Sequence, residues 1–595
     1  MEQKVSYYSD QGDFLSSNFE DHVDLFIDLP NQSAINDKNT SVLSSGLEKC
    51  VNVKILKLIL SASYKKNEIS VQDAALLGKA IGKCVNLTSL ELDLSSNTIE
   101  SESIIEVMKG FQGCVNISNL KLNFDGCDIG HQGGIGIGAG LQHFSNLTDL
   151  EINFNLNSIG DEGSCAIISG LKNCQNLKTL NLDLKLNRMT SYGFVDFGTH
   201  LGGCQNLTNL TINFSLQQFQ ERITSDGLSA FAAGLVKCQN IKSLDLGLSA
   251  NNISDEGLSC LTSILGELKN LEVLKLDLGV NNDFQHKGIS GLGKGIGKCE
   301  NLNNLSLILS QVRLVEDNKD QDESQIQAVQ DLIDGIRSCK KLQILSFSNS
   351  QSNINGKTAA KLFFGFGHLT NLTSLTLELG NNICQVEPSS LQALLENKVN
   401  LRSLSLDFQY NQLADDEISS LSHGLSKCTN LENIYIQLFQ NKVGQKGISA
   451  LSKAISECPN LQNLDLQISE NQFGSEGACI LGNQLGNCPN LKKLILFLPS
   501  WSQQEVNQIG SQGVSGLFNG LKKCTTLQDL AVYLRYCKTN DEGIIDLSNA
   551  IVNLVNLNSL KLDLRNNCIS APVKQTLKEK LDQMQNLVKK EIDYS

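Results

Sequence analysis

Hydrophobic and polar positions along the chain repeat with a period of roughly 30 residues, and the spacing of the hydrophobic positions changes within each repeat. In one repeat, three leucines, Leu90, Leu92 and Leu94, alternate with Glu91 and Asp93. Alternation with a period of two predicts a short strand that buries one face. The side chains between the leucines are then expected to point away from the core.

The second half of each repeat has helical spacing. Between residues 255 and 268, Leu258, Leu261, Ile264 and Leu265 fall at i, i+3, i+6 and i+7, which places an apolar stripe along one helix face. Asp255 is expected to cap or open this helix, because the unpaired amides and the positive helix end favour an acid. One strand and one helix cannot bury either face alone, so the repeats must stack.

The repeat has the form C-x-N-L-x-x-L-x-L-x-L-x-x-N and recurs in phase along the chain. Counting the leucine after the first asparagine as a phase mark gives seventeen repeats, most of them at nearly constant intervals. The phase marks are Val53, Leu87, Ile117, Leu147, Leu177, Leu207, Ile241, Leu271, Leu302, Leu342, Leu372, Leu401, Leu431, Leu461, Leu491, Leu527 and Leu557.

Over residues 23–592 this motif resembles the leucine-rich repeat family, specifically its ribonuclease-inhibitor-like type. The family's usual run is L-x-x-L-x-L-x-x-N, and we interpret the additional apolar step here as a strand two residues longer. The resemblance implies an α/β fold, a curved leucine-rich-repeat solenoid (horseshoe) with a parallel concave sheet and convex helices. It also implies a non-catalytic protein-binding scaffold.

The two ends depart from the repeat. Residues 1–22 are polar and are predicted to be a flexible N-terminal tail, and residues 23–52 to be an N-terminal capping unit that opens on a strand-like segment. Residues 53–585 form the predicted array of seventeen repeats. Residues 586–595 keep the phase but have polar residues in place of leucines, so they are predicted to be a degenerate C-terminal cap.

Composition narrows the possible functions. The 595 residues carry 49 basic and 63 acidic side chains, a net charge of −14, which argues against direct binding of nucleic acid. No apolar run approaches the roughly 20 residues of a membrane span. Most of the nineteen cysteines recur once per repeat and are interpreted as small buried residues. Without an export signal they indicate a reducing, cytoplasmic location.

Two short motifs suggest nucleotide chemistry, but the repeat accounts for both. Asp196-Phe197-Gly198 matches a kinase triplet, yet it lies in a predicted repeat helix and lacks the other kinase motifs. The run 356–358 matches the end of a phosphate-binding loop, but Gln351 stands where its first glycine is required. The histidines show no metal-ligand spacing. The sequence therefore predicts no enzyme, no cofactor and no metal site.

The predicted concave face is acidic. Its strand positions hold twelve acidic residues and five lysines, a difference of −7, and this favours a basic protein partner through electrostatic steering. The acidic residues are Glu91, Asp93, Asp149, Glu151, Asp183, Asp245, Asp277, Glu378, Asp407, Asp465, Asp529 and Asp563. The first five of these are predicted to contact the partner. The lysines are Lys57, Lys121, Lys275, Lys493 and Lys561. The alternative interpretation is an acidic surface that serves only solubility.

One region near the C-terminus has large apolar and aromatic residues at outward strand positions, which are mostly small or polar elsewhere on this face. Tyr435, Ile495, Phe497 and Tyr533 occupy outward strand positions, and Lys493 lies beside them. Exposed aromatic and apolar residues are typical of binding hot spots. Trp501, the only tryptophan, follows in an enlarged loop at 499–513. We predict that these six residues contact a partner; the alternative is that the loop folds back and covers them.

The leading hypothesis is a scaffold that binds a protein partner, acting as a monomer or as part of a larger complex. A second hypothesis follows from a resemblance to GTPase-activating proteins of the Ran-type repeat family. Those proteins typically end in a strongly acidic tail, whereas this sequence ends in KEKLDQMQNLVKKEIDYS. A third hypothesis is a repeat-type inhibitor of a basic enzyme.

Overall fold

The computed structural model describes residues 5–29, 37–62, 68–217, 223–281, 284–314, 323–382, 386–500 and 507–594. The chain divides into two compact units, Met1–Leu302 and Asn303–Ser595. Each unit alternates strands and helices along the chain.

The described strands of the N-terminal unit are β1 (Val5–Tyr8), β2 (Asp24–Asp28), β3 (Ile55–Ile59), β4 (Glu68–Ile69), β5 (Ser89–Asp93), β6 (Thr98–Ile99), β7 (Asn119–Asn123), β8 (Asp149–Asn153), β9 (Thr179–Asp183), β10 (Asn209–Asn213), β11 (Ser243–Gly247) and β12 (Val273–Asp277). All but β4 and β6 pair in parallel with the strands of the neighbouring repeats. Strands β4 and β6 pair separately with each other.

The described α-helices of this unit are α1 (Gln11–Leu15), α2 (Asp37–Leu47), α3 (Val71–Gly82), α4 (Ser101–Gly110), α5 (Gly130–Leu141), α6 (Gly160–Gly170), α7 (Ser191–Leu201), α8 (Ser225–Leu235), α9 (Asp255–Ser263) and α10 (His286–Ile296). Helix α7 contains the triplet that begins at Asp196, so that triplet belongs to the scaffold.

The C-terminal unit repeats this organisation. Its described strands are β13 (Asn304–Ile308), β14 (Ile344–Ser348), β15 (Ser374–Glu378), β16 (Ser403–Asp407), β17 (Asn433–Gln437), β18 (Asn463–Gln467), β19 (Lys493–Phe497), β20 (Asp529–Tyr533), β21 (Ser559–Asp563) and β22 (Lys589–Asp593). Its described helices are α11 (Glu323–Ser338), α12 (Gly356–Gly367), α13 (Pro388–Leu395), α14 (Asp415–Leu425), α15 (Gln445–Ser456), α16 (Gly474–Leu485), α17 (Gly510–Leu521), α18 (Asp541–Ile551) and α19 (Ala571–Asp582).

In both units the second and fourth residues of the five-residue strands from β2 to β21 form buried ladders; those of β22 are not buried. Leu90 pairs with Leu120, and Leu92 pairs with Leu122; all four are at most 2% exposed. An α-helix is wider than the roughly 4.8 Å between neighbouring strands. Because each repeat adds one strand and one helix, the helix layer is longer than the sheet, and each unit curves with the sheet on its concave side. The predicted fold class, an α/β repeat solenoid of the leucine-rich-repeat kind, is confirmed for each unit.

A second ladder consists of buried asparagines in the turns after many of the strands; other residues, such as Cys127 and Gln217, replace them in some repeats. The Nδ2 of Asn157 donates to the carbonyls of Phe124 and Phe154 at 2.7 and 2.8 Å. Its Oδ1 accepts from the amides of Cys127 and Ile129 at 3.1 and 3.2 Å. This side chain therefore supplies backbone partners in two consecutive repeats, which explains why the repeat motif contains the asparagine.

Acids at the helix starts also tie neighbouring repeats together. Helix α9 begins at Asp255, as predicted, but Asp255 is not its cap. Helix α9 is capped by Ser254, whose hydroxyl accepts from the amide of Gly257 at 3.2 Å. Asp255 instead reaches the next repeat, where its Oδ1 accepts from the amides of Gln285 and Gly288 at 2.7 and 2.6 Å. The smaller serine fits the local cap, which leaves the carboxylate to bridge the repeats.

Residues 5–22 are ordered, whereas the sequence predicted a flexible tail for 1–22. Strand β1 pairs in parallel with β2, and Phe14 of helix α1 is fully buried. His22 is 3% exposed, and its ring nitrogens lie 2.8 and 3.0 Å from the hydroxyls of Ser17 and Ser6. This segment lacks leucine phase marks because its aromatic side chains cover the end of the stack.

Candidate protein-binding surface

The first, third and fifth residues of each five-residue strand face away from the core and form three parallel rows on the sheet. Strand β17 illustrates the pattern, since Asn433, Tyr435 and Gln437 are half-exposed while Ile434 and Ile436 are buried. Register keeps each row continuous from one strand to the next. Side chains at equivalent positions of consecutive repeats are therefore neighbours on this surface.

Four predicted site residues lie together on the sheet face of the C-terminal unit, and we call Tyr435, Ile495, Phe497 and Tyr533 the aromatic patch. Ile495 and Phe497 share strand β19, and Phe497 is in register with Tyr533. The Phe497 and Tyr533 ring centroids are 5.0 Å apart. Tyr435 lies two strands away in the row of Ile495, with Asp465 between them. All four side chains are half-buried.

A depression of about 430 Å³ lies over one part of the patch, between Tyr435 and Ile495. Tyr435, Asp465, Lys493 and Ile495 line it together with small polar residues of β16 to β18. Lys493 is exposed at its rim. The depression therefore offers an apolar wall, a carboxylate and an ammonium group within one concavity, which suits a mixed apolar and charged partner side chain.

Acidic residues dominate the electrostatics on one side of the patch. Burial raises the pKa of Tyr435 to about 12, and the charges of Asp407, Asp465 and Glu378 act in the same direction. Burial also raises the pKa of Asp465 and Asp407. The Tyr435 hydroxyl stays protonated at neutral pH and donates to the Oε1 of Gln437, so the polar end of the ring is fixed.

Lysines border the other side of the patch. The Nζ of Lys561 lies 6.0 Å from the ring centroid of Tyr533 and 2.6 Å from Glu591 in the same row. Lys493 acts electrostatically on Asp465. Trp501, the sixth predicted contact, lies outside the described residues.

The five predicted acidic site residues of the N-terminal unit are engaged within the chain. Glu91 lies 3.1 Å from Lys57, and Glu151 lies 3.1 Å from Lys121, in both cases one strand away in the third row. The sequence could have revealed these pairs, because the lysines occupy the same position of adjacent repeats.

The remaining three acids bond to groups of their own strand or its neighbour. Asp93 and Asp183 of the fifth row accept from the amides two residues on, at 2.9 and 3.0 Å. Asp149 accepts from Thr148 and Asn119 at 2.6 and 3.2 Å. An acid or asparagine in the fifth row therefore closes a turn.

The sequence missed a second aromatic cluster, at the start of the N-terminal unit. Tyr7 and Phe26 lie side by side in the third row with ring centroids 5.8 Å apart. Lys57 comes next in that row, with its Nζ 4.6 Å from the Phe26 centroid. Tyr7 is 57% exposed and Ile55 42% exposed. The alternating pattern of VSYY was the available signal.

The recurring cysteines are structural. Cys84, Cys114 and Cys428 are fully buried, and the thiol of Cys114 donates to the carbonyl of Ile81 at 3.2 Å. Burial raises the pKa of Cys114 and Cys428 to about 12. The thiolate required for exchange chemistry is thus disfavoured.

The remaining candidate chemistry is accounted for by the scaffold. Among the described residues, no group of three or more His, Cys, Asp and Glu side chains could hold a metal ion. Gly356 opens helix α12, with Asn355 as its N-cap. Asn86, the first asparagine of its repeat motif, donates to the Val51 carbonyl of the preceding repeat at 3.0 Å. Within the described residues, no helix has both the length and the apolar character needed to cross a membrane.

The chain is similar to known proteins in structure, whereas the comparisons of its sequence find no match. No model of a protein family matches the sequence, and no curated protein matches it significantly. Among solved structures, the chain is similar to a chain in the complex of Rad7 and Elc1 from yeast. The identity is 17% and the TM-score 0.36, over 71% of this chain and 85% of that chain. The fold assignment accordingly rests on the strand and helix geometry described above.

Proposed function

We propose that the protein is a non-catalytic scaffold that binds a protein partner through the aromatic patch on its sheet face. The observation that carries this proposal is the grouping of Tyr435, Ile495, Phe497 and Tyr533 on the exposed side of the sheet, where Tyr435 and Ile495 also line a depression. Aromatic residues dominate the energetics of protein interfaces. A surface already fixed by backbone pairing loses little entropy when it binds.

The charged residues around the patch set the proposed preference for a partner. Glu378, Asp407 and Asp465 form an acidic side, which favours basic residues on the partner. In the N-terminal unit, Glu91 and Glu151 exchange their lysine partners at low cost, since exposed ion pairs contribute only about 0–1 kcal/mol. We propose that these acids steer the partner and that the aromatic patch supplies most of the affinity.

We also propose that the repeats are of the ribonuclease-inhibitor-like type. Most are roughly 30 residues long, at the long end of the range for leucine-rich repeats, and most carry an α-helix after the strand. Residues 53–585 are the proposed array, with 23–52 and 586–595 as its caps. An intracellular, reducing location suits the eighteen described cysteines, all of which are free thiols.

The test starts from co-purification of the full chain with its partner and then measures affinity with a triple variant, Tyr435→Ala, Phe497→Ala and Tyr533→Ala. Three contacts at about 1 kcal/mol or more each predict a loss of at least about 100-fold. A matched control changes Ser306, Ser346 and Thr376 to alanine; these are third-row residues of β13 to β15, outside the patch. Equal affinity of both variants and the wild type would refute the proposal.

Two further readouts address the alternatives. Raising the salt from about 0.05 M to about 0.5 M is expected to slow association with a basic partner. A partner that binds equally fast at both concentrations contradicts the role of the acidic side chains. Accelerated GTP hydrolysis by a bound GTPase would instead favour the GTPase-activating hypothesis, and loss of activity of a bound basic enzyme would favour the inhibitor hypothesis.

A further inference from the structure

A row of aliphatic residues lies at the edge of the sheet in the N-terminal unit, at the position just before the buried turn asparagine or its substitute. This position adopts positive φ in many repeats, for example in Ser96, Gly126 and Asn566 at 59°, 65° and 57°. Glycine and asparagine tolerate this conformation well. In five consecutive repeats the position is aliphatic instead. We call these five residues the aliphatic stripe: Leu156, Leu186, Leu216, Ala250 and Val280.

The aliphatic stripe has two unfavourable properties that the turn itself does not require. Its backbone lies in the left-handed region, with φ of 57° for both Leu156 and Val280, which is unfavourable for branched side chains. Its side chains also reach solvent, with Leu156 51%, Leu216 38% and Val280 39% exposed. Gly126 makes the same turn without either cost. The reason for aliphatic residues is therefore to be found at the surface.

The stripe is continuous and regularly spaced. The amide of Leu156 donates to the carbonyl of Lys185 at 3.1 Å, that of Leu186 to Ser215 at 3.2 Å, and that of Ala250 to Gly279 at 2.9 Å. These bonds keep the turns at the strand spacing of about 4.8 Å, so five side chains span about 19 Å. An α-helix repeats its apolar side every 5.4 Å, and about 13 residues cover this length.

Charge along the stripe indicates which side chains its occupant presents. On the sheet side, the adjoining fifth-row residues are Asn153, Asp183, Asn213, Gly247 and Asp277. Two of them are acids and none is basic. Lys185, between this row and the stripe, acts electrostatically on both carboxylates. The sheet side thus keeps one negative charge in excess and favours a basic flank on an occupant.

We propose that the aliphatic stripe docks an amphipathic α-helix of another protein, with its apolar side on Leu156 to Val280 and basic residues toward Asp183 and Asp277. Helix recognition of this kind uses anchors at i, i+3 or i+4 and i+7. These anchors recur about every 5.4 Å along the helix, close to the roughly 4.8 Å between consecutive stripe residues. The stripe belongs to the N-terminal unit. Its role does not depend on the aromatic patch, and loss of either leaves the other intact.

The test uses the full chain and a fluorescent peptide of about 15 residues, helical, with leucines at i, i+3 or i+4 spacing and lysines beside them. The stripe variant combines Leu156→Asn, Leu186→Ser, Leu216→Asn and Val280→Asn. Its control combines Tyr410→Asn and Tyr536→Asn, exposed positive-φ residues at the same turn position of the C-terminal unit.

By fluorescence anisotropy, the wild type and the control variant are expected to bind the peptide with affinities within about twofold of each other, and the stripe variant at least about tenfold more weakly. A scrambled peptide without helical spacing, and one with glutamate for lysine, should also bind at least about tenfold more weakly. No binding by the wild type, or equal binding by the stripe variant, overturns the proposal.

Two measurements separate docking from other roles of the stripe. Asparagine suits positive φ better than leucine or valine does. The melting temperature of the stripe variant should therefore equal or exceed that of the wild type. A clear decrease would show that the stripe packs against this chain, and would overturn the proposal. Sedimentation should give the same mass for both proteins. A wild-type dimer that becomes monomeric in the variant would identify a second copy as the occupant instead.

Discussion

Replacing Lys398 with methionine is expected to change how stability depends on pH. Lys398 stands where the next repeat has Cys428, and it is fully buried. Its Nζ donates to the carbonyls of Phe366 and Gly367, at the C-terminal end of α12, at 2.8 and 2.9 Å. Burial lowers the pKa of this ammonium group from 10.5 to about 8. The folded chain therefore favours the neutral amine more than the unfolded chain does.

The size of the effect follows from the difference between folded and unfolded pKa values. Between about pH 8 and 10.5 the unfolded chain binds more protons, so the free energy of unfolding rises with pH. The full shift of about 2.5 units is worth about 3.4 kcal/mol at 1.36 kcal/mol per unit. About 1.3 kcal/mol of this is gained between pH 7 and pH 9. Methionine does not titrate and shows no such gain.

The assay is urea unfolding of the wild type and of Lys398→Met at pH 7 and pH 9, followed by circular dichroism. Groups common to both proteins cancel in the difference, including the buried cysteines. The free energy of unfolding of the wild type minus that of the variant should rise by about 1.3 kcal/mol, with equal denaturant slopes. A constant difference would show that the two carbonyls keep the ammonium charged, and a decrease would contradict the assigned sign.

Three further predictions concern the scaffold. Asn157→Ala removes the hydrogen bonds to backbone groups of two repeats and should lower the free energy of unfolding by about 2–4 kcal/mol in urea titration; a loss below about 0.5 kcal/mol would contradict the ladder. A thiol reagent should modify exposed Cys568 in the native chain and Cys114 only after unfolding, as read by mass spectrometry. Gly138→Ala should lower the melting temperature, because the added Cβ would clash with the Ala166 carbonyl oxygen; an unchanged value would show that α5 and α6 separate easily.

Local pattern was sufficient to predict the strands and their register. Each of the seventeen phase marks precedes a strand by two residues, as Leu401 precedes β16 at Ser403. The period-two alternation also placed Tyr435 and Phe497 on the exposed side. Strand β1 escaped prediction because VSYY has no leucine ladder, and its pairing with β2 supplies the stability that its own sequence lacks.

Charge partners in the candidate site were harder to predict, for a physical reason. Asp183 counts as a free acid in the sequence, but its carboxylate closes a turn with the amide of Lys185. Glu91, by contrast, forms an ion pair with Lys57 of the adjacent repeat. Formal charge is a property of composition, whereas the surface field depends on which groups face each other. The aromatic patch is easier to predict, because the apolar area of its side chains does not depend on which charged groups face each other.

Hydroxyl-radical footprinting of the complex with the co-purified partner tests the central claim most directly. The oxidation rates of Tyr435, Phe497 and Tyr533 are expected to fall strongly on complex formation, because a partner on the patch removes these rings from water. Tyr192 of helix α7, which is 80% exposed on the helix side, should keep its rate. Unchanged rates at the three patch residues, with protection at Tyr192, would show that the partner binds the helices and that the sheet face is not the binding surface.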